Sequence, residues 1–239
     1  ESTRIGNVKN DIYSTKVTAN RTVTYNINGD VNGARQSFEI HSLEVDTAKN
    51  FLKETDPDQN SSFNIVYKTD GQGLGSNSTG FFAGFKQGTL QFTDINADKA
   101  VSNLIVDVQS RNVNNSDIWV QSINSAGEVQ DTWTKVDSGF GANTVFNNIK
   151  QDNRKLYTVK TVDNDNINIQ FGDGVFSEIP RGIIRIWYRT GVNQTYTLDP
   201  DDIGTSNFGF EYNAKDGNVY RVTFTCELQE PVTNAASQE

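Results

Sequence analysis

The chain has no methionine, one cysteine, one histidine and four prolines in 239 residues. Each shortage removes a class of function. A lone cysteine, Cys226, permits no intrachain disulfide and no thiolate metal cluster. With His41 as the sole histidine, Ser-His-Asp, Cys-His and multi-histidine zinc arrangements have almost nothing to be built from. Positive charge is also scarce: 21 Lys and Arg stand against 30 Asp and Glu, for a net charge of −9 and a pI near 4.7. Nucleic acid needs a basic face to displace counterions from phosphate, and an anionic membrane needs polybasic segments; the sequence supplies neither. No apolar run approaches the roughly 20 residues that span a bilayer. No charged-then-apolar leader follows Glu1. The missing methionine leads us to expect an internal part of a longer polypeptide.

What is abundant is asparagine, more than one residue in ten, alongside a hydrophobic content of only 35%. The apolar residues are nonetheless well patterned, which points to many turns and polar strand faces rather than to disorder. Period-2 alternation predicts strands at Val23–Ile27, Phe38–Ile40, Phe63–Tyr67, Thr89–Phe92, Leu104–Val108, Ile118–Ile123, Val129–Val136, Leu156–Val162 and Val219–Leu228. A phase change near Ser42 predicts a bulge or strand end there. Asn124–Gly127 reads as the turn of a hairpin. Helix signals are few. Asp46–Lys53 has a capping residue and apolar Ala48, Phe51 and Leu52, and Gly141–Lys150 could form another short turn. The expected fold is therefore mainly β, of antiparallel sheets with one or two short helices. Two β-rich subdomains are expected, residues 1–148 and 149–239, joined at the Asn- and Asp-rich span Phe146–Arg154.

The most informative stretch is Asn166–Arg189, NINIQFGDGVFSEIPRGIIRIWYR. Ile167, Ile169 and Phe171 alternate with polar residues, then Gly172-Asp173-Gly174 and Pro180-Arg181-Gly182 break the chain. A second strand carries Ile184, Ile186 and Tyr188 on one face and Arg185, Trp187 and Arg189 on the other. These two strands are expected to pair antiparallel, with Gly172 or Gly174 at positive φ. The arrangement resembles the baseplate J-like family of contractile-tail proteins, and within it the core wedge proteins of myophage baseplates. Lys68–Gly75, Ser78–Phe82, Phe85–Gln91 and the segments Asp117–Gln121 and Asp131–Lys135 resemble the same proteins. The resemblance covers residues 62 to 203. It implies a virion structural protein assembled in the host cytoplasm, which forms part of a ring around the tail tube. It further implies contacts with other wedge proteins and with a second copy of itself, and rearrangement when the sheath contracts.

Other candidate sites fail on spacing. Gly71-Gln-Gly-Leu-Gly75 lacks the third-glycine spacing and the following helix of a dinucleotide loop, and reads as a structural loop. Asp163-Asn-Asp165-Asn opens like a calcium loop but places Ile167 and Asn168 where a ligand and a glycine belong. Asp199–Asp202 reads as a solvated turn. No acid sits in an apolar segment that would raise its pKa for general-acid work. Cys226, on the apolar face of Tyr220, Val222, Phe224 and Leu228, is expected to be buried and inert. No cofactor, no metal and no catalysis are expected. Trp and Arg sharing one strand face are residue types enriched at protein interfaces, so Arg185, Trp187 and Arg189 form the candidate interface. The alternative use of such aromatics is stacking on sugar rings, in a receptor- or glycan-binding tail fibre.

Overall fold

The structure is a computed structural model that describes residues 2–5, 12–18, 24–31, 33–46, 51–57, 62–68, 79–137, 154–163, 166–192, 195–213 and 216–234. In chain order the strands begin with β1 (Ser2–Ile5), β2 (Ile12–Thr18), β3 (Thr24–Val31), β4 (Ala34–Asp46), β5 (Phe51–Glu54) and β6 (Ser62–Lys68). Next come β7 (Thr79–Phe81), β8 (Ala83–Gln87), β9 (Thr89–Ala97), β10 (Ile105–Val108), β11 (Val113–Ile123), β12 (Val129–Thr132) and β13 (Thr134–Lys135). Then follow β14 (Leu156–Val162), β15 (Asn166–Phe171), β16 (Gly182–Thr190) and β17 (Tyr196–Leu198). Helix α1 (Pro200–Ile203) precedes β18 (Ser206–Asn213), β19 (Val219–Cys226) and β20 (Val232–Asn234). The fold is mainly β, built almost wholly of antiparallel sheets. No helix among the described residues is long and apolar enough to cross a membrane.

The chain forms two packing units. One joins Glu1–Gln87 to Gln194–Glu239; the other is Gly88–Asn193. The boundary expected at 148/149 does not coincide with this division. It falls inside the second unit, where β13 pairs in parallel with β14 across it.

The second unit is a sandwich of two four-stranded sheets, β10-β15-β14-β13 and β12-β11-β16-β9. Alternation makes it so, because each sheet turns one apolar row inward. Ile167, Ile169 and Phe171 from one sheet share a core with Ile118, Val120, Ile184, Ile186 and Tyr188 from the other. Each such side chain contributes about 1.5–3 kcal/mol through burial. The buried Tyr157 hydroxyl donates to the Ile118 carbonyl at 2.8 Å, tying the sheets together. The expected pairing of 166–171 with 183–189 is therefore corrected. β15 pairs with β10 and β14, whereas β16 pairs with β11 and β9. Both strands carry one buried row, and two such strands joined by a loop can face each other across a core as readily as lie side by side. The turn at Asn124–Gly127 does join a hairpin, β11–β12, with Gly127 at φ +83°.

In the first unit, β4 is the central strand. Its first part pairs with β3 and β8, and its last four residues pair with β5. The phase change at Ser42 is the point where β4 changes partner, without a break in the strand. The helix expected over Asp46–Lys53 is corrected too, because Phe51–Glu54 is a strand returning along Leu43–Asp46. Sheet pairing outweighs a weak, two-turn helical propensity. Gly141–Lys150 lies outside the described residues, as does Gly71–Gly75. Among the described residues the helix is α1, where Pro200 occupies the first turn and the Asp199 and Asp202 side chains make a capping box. From sequence alone this segment reads as a solvated turn; the difference is the helical turn closed by Asp202. The β18–β19 hairpin packs Phe210, Tyr212 and Phe224 against Ile65 and Phe81.

Candidate interaction surface

The face of β16 opposite the core is shaped by its neighbours' registers. Trp187 lies between Trp119 of β11 and Phe92 of β9, and Arg185 lies between Gln121 and Asp94. Side chains directly opposite on one sheet face meet. The Phe92 and Trp187 rings are 4.8 Å apart, and the Trp187 indole N–H donates to Gln121 Oε1 at 2.9 Å. Arg185 lays its guanidinium over Phe92, with Cζ 4.2 Å from the ring centroid. The same group makes two 2.8 Å bonds to Asp94, Nε to Oδ1 and Nη2 to Oδ2. Phe92 stays 49% exposed, while Arg185 and Trp187 are half-buried. The result is a cation held between a carboxylate and an aromatic ring.

Arg189 differs. It is 1% exposed and donates from Nη1 to Asp117 Oδ2 at 2.7 Å, in a pair whose two side chains are both buried. Asp117 reaches it through an irregularity in β11: Val113 faces Thr190, but the next paired residue, Ile118, faces Tyr188. The extra residues bulge within the strand, where Asn114 Oδ1 accepts from the Ser116 amide at 3.1 Å and Asn114 Nδ2 donates to Asp117 at 3.2 Å. Lys135 donates to Asn115 Oδ1 at 2.8 Å. Burial pushes its ammonium pKa down, against the pull of Asp137 and Asp117. Arg189 is thus a structural ion pair and leaves the candidate interface. Alternation placed it on the right face and could not report its burial.

Two sheets of the sandwich are joined by the loop after Phe171, and its chemistry is local. Gly174 has φ +87°, as expected for one of the two glycines. Gly172 does not; it is required because a Cβ there would run into Ser177 Oγ and come within 2.7 Å of the Ser177 backbone. Asp173 Oδ1 accepts from the amides of Val175 at 2.8 Å and Phe176 at 3.0 Å. Desolvation works to raise the Asp173 carboxyl pKa, but these amides and that of Ser177 outweigh it and hold the pKa below 3.8. Arg154 Nη2 donates to the carbonyls of Gly174 and Val175, Ser102 Oγ donates to that of Asp173, and the Asn103 amide donates to that of Gly172. Pro180 is buried, and Gly182 starts β16 at φ +75°.

The model of a family described as "Domain of unknown function (DUF8360)" matches residues 1–231. This chain belongs to that family. Neither a curated protein nor a solved structure matches it. The DUF8360 match runs through both packing units, so the sandwich and the sheets flanking it in sequence make up one family domain.

Within this DUF8360 chain the other sequence candidates separate. Trp133 is core, 4% exposed, with its indole N–H on Ser122 Oγ and its ring edge-on to Phe171. Cys226 is half-buried rather than fully buried, and desolvation, then Glu227, raises its thiol pKa. His41 is 3% exposed with Nε2 3.4 Å from Glu54 Oε2, and Glu54 also accepts from Lys86 at 2.9 Å. A Cβ at Gly84 would collide with that imidazole, so Gly84 is what lets His41 lie across the sheet. Among the described residues no group of three or more His, Cys, Asp or Glu is placed to hold a metal ion. The Asp117–Arg189 pair was missed. Its signal was Asn114-Asn-Ser-Asp, a polar run interrupting an otherwise apolar strand.

Proposed function

We propose that this chain is a structural part of a contractile-phage baseplate wedge, contributing to the ring around the tail tube and working through protein–protein contact. The observation that carries the reading is the Arg185–Trp187–Phe92 surface. An aromatic and Arg cluster with Phe92 exposed and Arg185 and Trp187 half-buried, held in one geometry by Asp94 and Gln121, is the kind of group that dominates interface energetics. Holding it rigid removes much of the ordering cost of binding. The resemblance of Asn166–Arg189 to core wedge proteins supplies the setting: neighbouring wedge proteins and a second copy as partners, and rearrangement of contacts during sheath contraction. Catalysis has no part in this role.

A reconstruction of the parent virion tests it directly. Density for this chain in the ring around the tail tube is the expected result; density at a fibre tip overturns it and favours the receptor-binding alternative. At residue level, Arg185→Ala with Trp187→Ala should abolish partner binding while leaving the melting temperature nearly unchanged. A large fall in melting temperature would instead make Trp187 a core residue, and loss of a glycan ligand with assembly intact would make this face a sugar platform.

A further inference from the structure

We propose that the outer edge of β9 pairs with the β9 edge of a second copy, antiparallel about a two-fold axis at Phe92. β9 ends the sheet β12-β11-β16-β9, and among the described residues no strand pairs with its outer side. In an antiparallel strand alternate residues turn both N–H and C=O away from the partner, so such an edge presents a row of backbone donors and acceptors. The other edges of the sandwich are short or irregular. β13 has two residues, β10 and β12 have four each, and β12 meets β11 through a register shift at Ser122/Ile123. β9 has nine residues, paired with β16 without a shift from Thr89 opposite Thr190 to Ala97 opposite Gly182. Its sequence, TLQFTDINA, contains neither lysine nor proline, the residues that ordinarily guard a sheet edge. What an unguarded edge takes is another strand, with main-chain hydrogen bonds supplying affinity and side chains supplying register.

The side chains select a copy of the same strand. Trp119, Trp187 and Phe92 form a cross-strand row over β11, β16 and β9. Phe92 meets Trp187 with centroids 4.8 Å apart, and the row stops there with Phe92 49% exposed. A two-fold at Phe92 sets this ring opposite its own counterpart, a stabilising aromatic pair, and carries the row on to the second Trp187 and Trp119. Asp94, the one charged residue of β9, then comes opposite Leu90 of the other copy and is already matched by Arg185. A two-fold at Asp94 would instead set the two carboxylates face to face, which is unfavourable. On the core-facing side Gln91 comes opposite Thr93, and Thr89 opposite Ile95, so both faces of the two strands alternate in phase. The contact uses the same surface on each copy, so it closes as a dimer and joins two four-stranded sheets into one. The inference deepens the reading above, on which it rests for the expectation of a second copy, by assigning that copy to the β9 edge.

Hydrogen–deuterium exchange of the intact chain reads the contact directly. Amides in residues 89–95 that face away from β16 should exchange several-fold more slowly as protein concentration rises. Those of β12, at the opposite edge of the sheet, should not change. Sedimentation should show dimers and nothing larger. Phe92→Lys guards the edge and brings two ammonium groups together at the axis, so it should leave monomers that still unfold cooperatively. With Cys226→Ser, oxidised Phe92→Cys chains should form a dimer linked through residue 92 of both copies, identified by mass spectrometry. A chain that stays monomeric at every concentration, or dimers without the 92–92 link, would overturn the proposal. If dimers form while β9 exchanges as it does in the dilute chain, the second copy sits on another surface: the wedge reading survives and this inference falls. Virion density at a fibre tip would sink the wedge reading and leave a β9 dimer standing.

Discussion

Arg185 and Arg189 lie on the same face of the same strand and have opposite fates. Arg185 grips Asp94 and stacks on Phe92, with 14% of its side chain left exposed. Arg189 grips Asp117 with both groups sealed from water, and lies with Cζ 5.8 Å from the centroid of Trp119. The difference comes from the neighbouring strands. β9 supplies Asp94 in regular register at the edge of the sheet, whereas β11 bends out of register to deliver Asp117. One strand face thus holds the candidate interface group at one end and a buried ion pair at the other.

The sharpest way to break this contrast is to remove the acids one at a time. Asp117→Ala leaves a guanidinium buried without its carboxylate, and losing one partner of such a pair costs about 3–5 kcal/mol. All three tryptophans, Trp119, Trp133 and Trp187, belong to the sandwich, so the fluorescence transition reports that unit alone. Its denaturation midpoint should fall steeply. Adding Arg189→Met should recover part of the loss, because the buried charge is removed and the stem still packs. A loss below about 1 kcal/mol for Asp117→Ala would mean that Arg189 reaches water and belongs with Arg185 after all.

How much of this could be read from sequence follows the same line. Period-2 alternation correctly put Ile184, Ile186 and Tyr188 in the core and Trp187 on the other face, because side-chain direction is a local property of a strand. Partner choice is not local. Asn166–Phe171 and Gly182–Thr190 look like a hairpin yet sit in opposite sheets, since the loop between them crosses the core instead of turning back beside it. Burial of Arg189 depends on Asp117, far away in sequence and moved into place by an irregularity that hydrophobic pattern does not encode. Phe51 and Leu52 carried a short helical pattern that the β4 edge overrode. Gly174 was legible as a positive-φ glycine; Gly172 was chosen for closeness to Ser177, which only the folded loop displays.

The companion change, Asp94→Ala, should be mild. Its pair with Arg185 is less buried than Asp117–Arg189, with side-chain exposures of 14% for Arg185 and 36% for Asp94, and its contribution should lie closer to the ~0–1 kcal/mol of exposed pairs. Stability of the sandwich should hardly move, and what is lost should fade as salt is added. The effect on binding should be larger than the effect on folding, because the guanidinium is then free to leave Phe92. Equal losses in stability from Asp94→Ala and Asp117→Ala would erase the distinction between the two arginines.

The smallest expected effect concerns Asp173, an acid stabilised by backbone amides. Asp173 is held below 3.8 in the folded chain by the amides of Val175, Phe176 and Ser177. A carboxyl depressed on folding contributes stability that is fully present above its unfolded value and is lost as pH falls through the folded one. The contribution is therefore complete at neutral pH and disappears only in acid, from 3.8 downward to the lowered value. Asp173→Asn can still accept from the amides but no longer titrates. Its acid-unfolding curve should be flatter than wild type below 3.8, with little difference at pH 7. Identical acid limbs would show that the ordinary unfolded value persists in the folded loop, and that the amides around Asp173 are turned elsewhere. The loop after Phe171 would then lose one of its supports.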